Sequence, residues 1–290
     1  MERYRKGILL VIFSAIIFGL NPLIAKTVYI NGGNPVSLTS YRMLFGSISL
    51  FLAQKFLVRG KIFPEKKIIP KLVLCSLFYG GTPVILLTSY HYLASGVATT
   101  IHFIYPVFVL IGSLFLFHAK ITKIKLLCCF LCMIGIISFY TPGDGNFSPK
   151  GMILALVSGV TYAGYIILLA KSGFQSMSPY KTGAWLCFFA MIVIVIISII
   201  SNQVALNMTL TGWILSVLYG FVSSGIANVA FINGNKLVGP QAASLLSTFE
   251  PLTSVFVDVV VYDESFTLRS VIGILSILAS VIIVAKYGRE

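Results

Sequence analysis

The sequence predicts an all-α integral membrane protein with ten transmembrane helices arranged as two inverted five-helix repeats. Three observations carry that expectation. Hydrophobic residues make up 58% of the 290 and charged residues 10%, against roughly 25% charged in an ordinary soluble domain. The charges fall mostly between ten apolar runs, each near the roughly 20 residues a helix needs to cross a bilayer. The second five runs match the first five in length and proline placement, as an internal repeat would.

The runs cover 7–26, 35–56, 70–91, 94–117, 122–140, 150–171, 179–201, 211–232, 238–262 and 267–286. The first follows Arg3, Arg5 and Lys6; it exceeds a signal-peptide core in length and no small-residue cleavage site follows, so it is expected to stay attached. Lys55, Arg59, Lys61, Lys66, Lys67 and Lys71 lie between the second and third runs, and Lys120, Lys123 and Lys125 between the fourth and fifth. Lys171 and Lys181 separate the sixth and seventh, Lys236 the eighth and ninth, and Lys286 and Arg289 follow the tenth. Cytoplasmic loops are enriched in Lys and Arg. With the N-terminus inside, 17 of the 21 basic residues are interior, leaving Lys26, Lys150 and Arg269 outside and Arg42 within a span. Both termini are then cytoplasmic, and the net charge of +13 points to membrane orientation and not to nucleic acid.

Cys75, Cys128, Cys129, Cys132 and Cys187 all fall inside runs. Free cysteines there read as small buried hydrophobes, and no metal site or cofactor is expected.

A shift of 144 places Gly7 on Gly151, Ser14 on Ser158, Phe18 on Tyr162 and Pro35 on Pro179. A shift of 145 places Gly80 on Gly225, Ala98 on Ala243, Pro106 on Pro251 and Thr122 on Thr267. Five spans per half is an odd number, so the second half enters the membrane from the opposite side. Inverted repeats of that kind meet at a site near the midplane in secondary transporters, which work by rocking or gating one repeat against the other. Ala15 and Gly19 in the first run, and Gly151, Ala155, Gly159 and Ala163 in the sixth, repeat at helical spacing. They predict close helix packing, or a smooth face for sliding.

Arg42, Pro106, Phe249-Glu250-Pro251-Leu252 and Asp263-Glu264 resemble the pattern of the EamA family of the drug/metabolite transporter superfamily. The resemblance covers the whole chain and implies a first repeat over 1–141 and a second over 142–290. Similar proteins end the ninth span on Gly-Glu; this chain has Asp263-Glu264 there, with Ala119-Lys120 at the matching place in the first half. The resemblance implies an exporter, and no enzyme.

Glu250 stands beside Pro251 near the middle of the ninth run. An ionised acid at a helix centre costs about 2.5–3.5 kcal/mol on insertion scales, so its retention marks a site for a proton, a coupling cation or substrate. The competing expectation is a tether around Pro251. Arg42 cannot shed its charge; it predicts either a structural role, as an ion pair with Glu250 or Asp258 or a snorkel to the interface, or contact with an anionic substrate group. His102, one turn before Pro106, is a candidate proton or substrate group, and His91 a weaker one. Tyr90, Tyr105, Tyr162, Tyr165, Trp185, Asn21, Asn228 and Asn233 could line an aromatic cavity with amide handles, although single tyrosines also serve as interfacial anchors. Pro106 and Pro251 predict helix breaks that serve gating.

Rhomboid-like Gly-x-Ser-Gly and presenilin-like Gly-x-Gly-Asp motifs are absent from the sequence, as are the acidic rings of a channel. The expectation is a gradient-driven secondary transporter in the bacterial or archaeal plasma membrane, with lipid, protons and a small metabolite as its partners. The solute is expected to be neutral or zwitterionic and amino-acid-like, or a drug. The alternatives are an importer of the same solutes or a membrane scaffold.

Overall fold

The structure is a computed structural model that describes residues 2–89, 92–93, 95–118, 120–138, 148–262 and 268–287. No strand occurs among these residues. Lipid imposes that choice, since a helix satisfies its own backbone donors and acceptors.

Helix α1 (Glu2–Gly19) stops at Leu20 and α2 (Asn21–Ile30) begins at once, because Pro22 has no N–H for the ladder. Helix α3 (Pro35–Ala53) starts behind Asn34, whose side chain accepts from the Ser37 N–H, and runs on into a π turn, Gln54–Val58. Helix α4 (Ile69–Ser89) is followed by α5 (Ser95–His102), a break at Phe103 and Ile104, and α6 (Tyr105–Phe117), with Pro106 in its first turn. Helix α7 (Lys123–Ser138) closes the first half. In the second half, α8 (Pro149–Lys171) and α9 (Pro179–Ile200) open on Ser148 and Ser178 caps. Helix α10 (Leu210–Tyr219) opens on Thr209 and passes through a π segment, Gly220–Ala227, into α11 (Asn228–Val238). Gly239, at φ 83°, turns the chain into α12 (Pro240–Leu246). Ser247 and Thr248 break the helix before α13 (Phe249–Tyr262), and α14 (Leu268–Tyr287) ends the described chain.

Among the described residues, seven stretches are long and apolar enough to span a membrane: Glu2–Ile30, Pro35–Val58, Lys66–Ser89, Ala98–Leu116, Pro149–Lys171, Pro179–Ile200 and Leu210–Val238. The other three expected runs fall on α7 with 16 residues, on the broken α12 and α13, and on α14, whose apolar part is Val271–Tyr287. One boundary moves: Val238 closes α11 where the sequence pattern makes it open the ninth run, because Gly239 terminates the helix.

The main packing pairs are α3 on α9, α4 on α8, α1 on α11 and α7 on α14, with α5 and α6 against α8 and α12 and α13 against α1. The small residues of α1 and α8 lie at these contacts. A β-carbon on Gly19 would meet the Glu250 carbonyl oxygen at 2.7 Å, and one on Gly159 would meet that of His102 at 2.9 Å. Both broken helices are thus seated on a glycine. Behind the α12–α13 break, Cys132 Sγ donates to Ser280 Oγ (3.1 Å) and Ser280 Oγ to the Cys128 carbonyl (2.9 Å). Apolar side chains such as Leu9, Phe115 and Ile200 remain exposed, as a lipid-facing surface requires.

The extended α9–α10 connection is sewn to the α2 and α3 ends. Asn34 Nδ2 donates to the Gln203 carbonyl (2.9 Å) and so does Ser37 Oγ (2.5 Å), while Ser37 Oγ accepts from the Ala205 N–H (2.7 Å). Tyr41 donates to the Ala205 carbonyl (2.7 Å). At the opposite ends of α3 and α9, Trp185 Nε1 donates to the Ile62 carbonyl (2.9 Å) and Ser178 Oγ donates to Gln54 Oε1.

Candidate functional site

Seven helices bring polar side chains into the interior between the halves. Arg42 comes from α3, Tyr79 from α4, Tyr162 and Tyr165 from α8, and Tyr219 from the end of α10. Asn228 opens α11, directly after the π segment. The other two, α6 and α13, contribute Tyr105 and Glu250 from their first turns, just beyond the two breaks.

The aromatic rings form a continuous wall. Tyr79 stacks near Tyr165 (4.9 Å between centroids), Tyr165 near Tyr162 (5.8 Å), and Tyr162 edge-on to Tyr105 (4.7 Å). His102 lies 5.7 Å from Tyr105 and 5.6 Å from Tyr162. Its Nδ1 is 2.9 Å from Ser158 Oγ, which itself donates to the Ala155 carbonyl at 2.6 Å. The serine proton is therefore committed, the imidazole N–H sits on Nδ1, and a neutral ring keeps its lone pair on Nε2.

Arg42 stands at one end of this wall. Its Nη1 meets the Tyr219 hydroxyl at 3.3 Å, and its guanidinium carbon lies 5.5 Å and 5.9 Å from the Tyr219 and Tyr79 ring centroids. Glu250 lies within electrostatic reach of Tyr105 and Tyr162, and Tyr162 is also within reach of Arg42. Among the described residues the ion pair within 4.0 Å is Lys67 with Glu65, at 2.8 Å. Glu250 and Arg42 interact at longer range. Arg42 is partnered by tyrosines where the sequence suggested carboxylates. The Asp258 side chain, Tyr90, His91, Asp263 and Glu264 lie outside the described residues.

Tyr165 donates to Asn228 Oδ1 at 3.1 Å. Several buried polar atoms nearby have no hydrogen-bond partner: Arg42 Nε, the Tyr79 and Tyr105 hydroxyls, Ser223 Oγ, Ser224 Oγ and Asn228 Nδ2. Asn21 Oδ1, beside the α1–α2 break, is also unpartnered. Trp185 is placed elsewhere, among Phe51, Phe63, Phe188 and Phe189 beside the α3–α4 connection. Asn233 lies on α11, partly buried. Sequence reasoning missed Tyr79, Tyr219, Ser158, Ser224 and the π segment. The signal available was the pairing of each hydroxyl with a glycine inside an apolar run, as in Tyr79-Gly80, Tyr219-Gly220 and Ser224-Gly225.

Two surface hollows lie apart from this interior. One, of about 460 Å³, is lined by Phe45, Ile48, Leu52, Phe56 and Phe221 among others, and the other, of about 420 Å³, by residues that include Asn34, Val84 and Gln203. Neither contains Glu250 or Arg42. Among the described residues no His, Cys, Asp and Glu group is suited to a metal ion.

The model of the EamA-like transporter family matches residues 5–141 and 149–286. The chain belongs to the EamA-like transporter family. Similar curated proteins include an uncharacterized transporter of Archaeoglobus fulgidus, 25% identical over 96% of both chains. Another is the uncharacterized transporter YxxF of Bacillus subtilis, 24% identical over 80% of this chain and 75% of that one. A solved crystal structure superposes with a TM-score of 0.83 at 16% identity, covering 96% of this chain and 97% of that chain, a likeness of fold. As an EamA-like protein the chain is an integral membrane transporter and not an enzyme.

Proposed function

We propose that this EamA-like chain is a gradient-driven secondary transporter that exports a small neutral or zwitterionic metabolite, amino-acid-like or drug-like, by alternating access between two inverted five-helix repeats. The observation that carries the reading is that Arg42 and Glu250, one from each half, share an interior walled by four tyrosines, within electrostatic reach of each other and beyond ion-pair distance. A zwitterion matches two separated charges of opposite sign. A multiply anionic solute does not, with Arg42 as the cation at this wall.

The packing supports the repeat. Exchanging the halves turns the α1–α11 pair into α8–α4, turns α13 on α1 into α6 on α8, and maps α3–α9 and α7–α14 onto themselves. Ten spans then follow, with α12 and α13 forming one broken span as α5 and α6 do. The basic loops place both termini in the cytoplasm of a bacterial or archaeal cell. Energy comes from the membrane gradient: one charge moved through 100 mV supplies about 2.3 kcal/mol, roughly a fifty-fold concentration ratio. Glu250, a single carboxyl at the break, exchanges a proton against solute.

Replacement of Glu250 by Gln keeps the shape and removes the titratable group. Cells overproducing the wild-type chain should release a neutral or zwitterionic solute and survive toxic amino-acid analogues, and cells with Glu250→Gln at equal expression should do neither. Comparison of the two culture media reads this directly. Wild-type release from the Gln variant would return Glu250 to a structural role, and accumulation inside the cells would reverse the direction.

A further inference from the structure

From the unpartnered donors gathered around Arg42 we infer that this end of the interior is a seat for one carboxylate of the transported solute. The inference deepens the proposed function and rests on it for the identification of the ligand as solute. Arg42 Nε has no partner, and Nη1 has only the 3.3 Å contact to Tyr219. The Tyr79 hydroxyl, whose ring lies 5.9 Å from the guanidinium, makes no hydrogen bond of normal geometry and neighbours the Ser224 hydroxyl and the Cys187 thiol. Ser224 is held beside α3 one turn beyond Arg42: its Cβ would lie 2.4 Å from a β-carbon on Gly46, and its Oγ has no partner.

The groups around Arg42 decide the sign of the ligand. The hydroxyls of Tyr79, Tyr219 and Ser224, which can each donate, stand about the guanidinium edge and form a donor-rich cluster. Beyond Tyr165, which donates to Asn228 Oδ1, Asn228 Nδ2 adds two donors without a hydrogen-bond partner, 3.5 Å from the β-carbon position of Gly183. A carboxylate supplies what the cluster lacks, two oxygens with about four lone-pair sites and a charge suited to the arginine fork. One arginine neutralises one negative charge. Glu250 interacts with Arg42 only beyond ion-pair distance. It is left to face the ammonium end of the same solute, so the solute's direction across the wall is fixed.

The test is binding to the purified full chain in detergent, read as the shift of its melting temperature and needing no flux. Three probes at equal ionic strength separate the possibilities: 4-methylpentanoate, its amide, and chloride. The carboxylate should raise the melting temperature saturably and the amide should not. Arg42→Gln should weaken the response at least tenfold, with Arg42→Lys retaining part of it. Asn228→Leu should weaken the response as well and serves where Arg42→Gln does not fold. Equal response to the amide, or a carboxylate response unchanged in Arg42→Gln or Asn228→Leu, overturns the seat. An Arg42-dependent chloride response that blocks the carboxylate would show an inorganic anion site and overturn the assignment to solute. Loss of the carboxylate response with Glu250-dependent export intact removes the seat alone. A carboxylate response in a chain that moves no solute removes the transporter reading instead.

Discussion

A β-carbon on residue 159 would lie 2.9 Å from the His102 carbonyl oxygen, where backbone on both sides resists movement. That oxygen is one the ladder gives up at the break, since Pro106 has no N–H to bond it. Gly159→Ala is therefore expected to lower stability by about 1–3 kcal/mol, the cost of overpacking. Gly81 has nothing within 4 Å of its β-carbon position inside α4; there Gly→Ala should be neutral or stabilising by up to about 1 kcal/mol. Melting of the two variants in detergent checks the contrast, and equal losses would contradict it. At this scale Glu250 was legible because a carboxylate amid apolar residues stands out. Tyr79, Tyr219 and Ser224 were not, since hydroxyl side chains are common in membrane helices and only tertiary placement collects them around Arg42.

At the scale of elements, prolines and apolar runs were informative. Pro106 and Pro251 each lie just past a break, at 103–104 and at 247–248, because the missing N–H and the ring crowding upstream cannot be absorbed in a straight helix. The α1–α2 break at Leu20 was not anticipated, although Pro22 could have signalled it. Span orientation is an expectation from the basic loops that can be tested element by element. Cysteines placed at Gly60 and Lys123, both exposed, should be shielded from an impermeant thiol reagent in intact cells. One at Asn207, exposed on the α9–α10 connection, should react. The reverse pattern would overturn the orientation, and reaction of the Gly60 and Asn207 positions from the same side would remove the inverted arrangement.

Across the whole molecule, α3 and α9 are fastened at both ends, each to a connection from the opposite half. Access from one side requires that side's fastening to open. Ser37 makes two of the bonds at the predicted outer end. At about 1 kcal/mol per hydrogen bond, losing both in Ser37→Ala should raise the outward-open population by roughly thirtyfold. With the other four cysteines replaced, Cys187, fully buried and within electrostatic reach of Arg42, reports it. Its rate of modification from outside should rise by a similar factor in Ser37→Ala, and an unchanged rate would leave the fastening without a gating role. The sequence could not announce this contact, because it depends on backbone carbonyls of a connection with no motif of its own.

The π segment Gly220–Ala227 has a further meaning for the history of the chain. Gly7 to Pro35 match the second half at a distance of 144 residues, whereas Gly80 to Thr122 match it at 145. The second half is therefore one residue longer than the first between the counterparts of Pro35 and Gly80. An i→i+5 turn is how a helix stores one extra residue without rotating the turns on either side of it. A residue taken up at Gly220–Ala227 leaves α11 in phase and Asn228 facing inward. It makes the copies unequal where they meet, so that Tyr79 in one copy stands opposite Ser224 in the other.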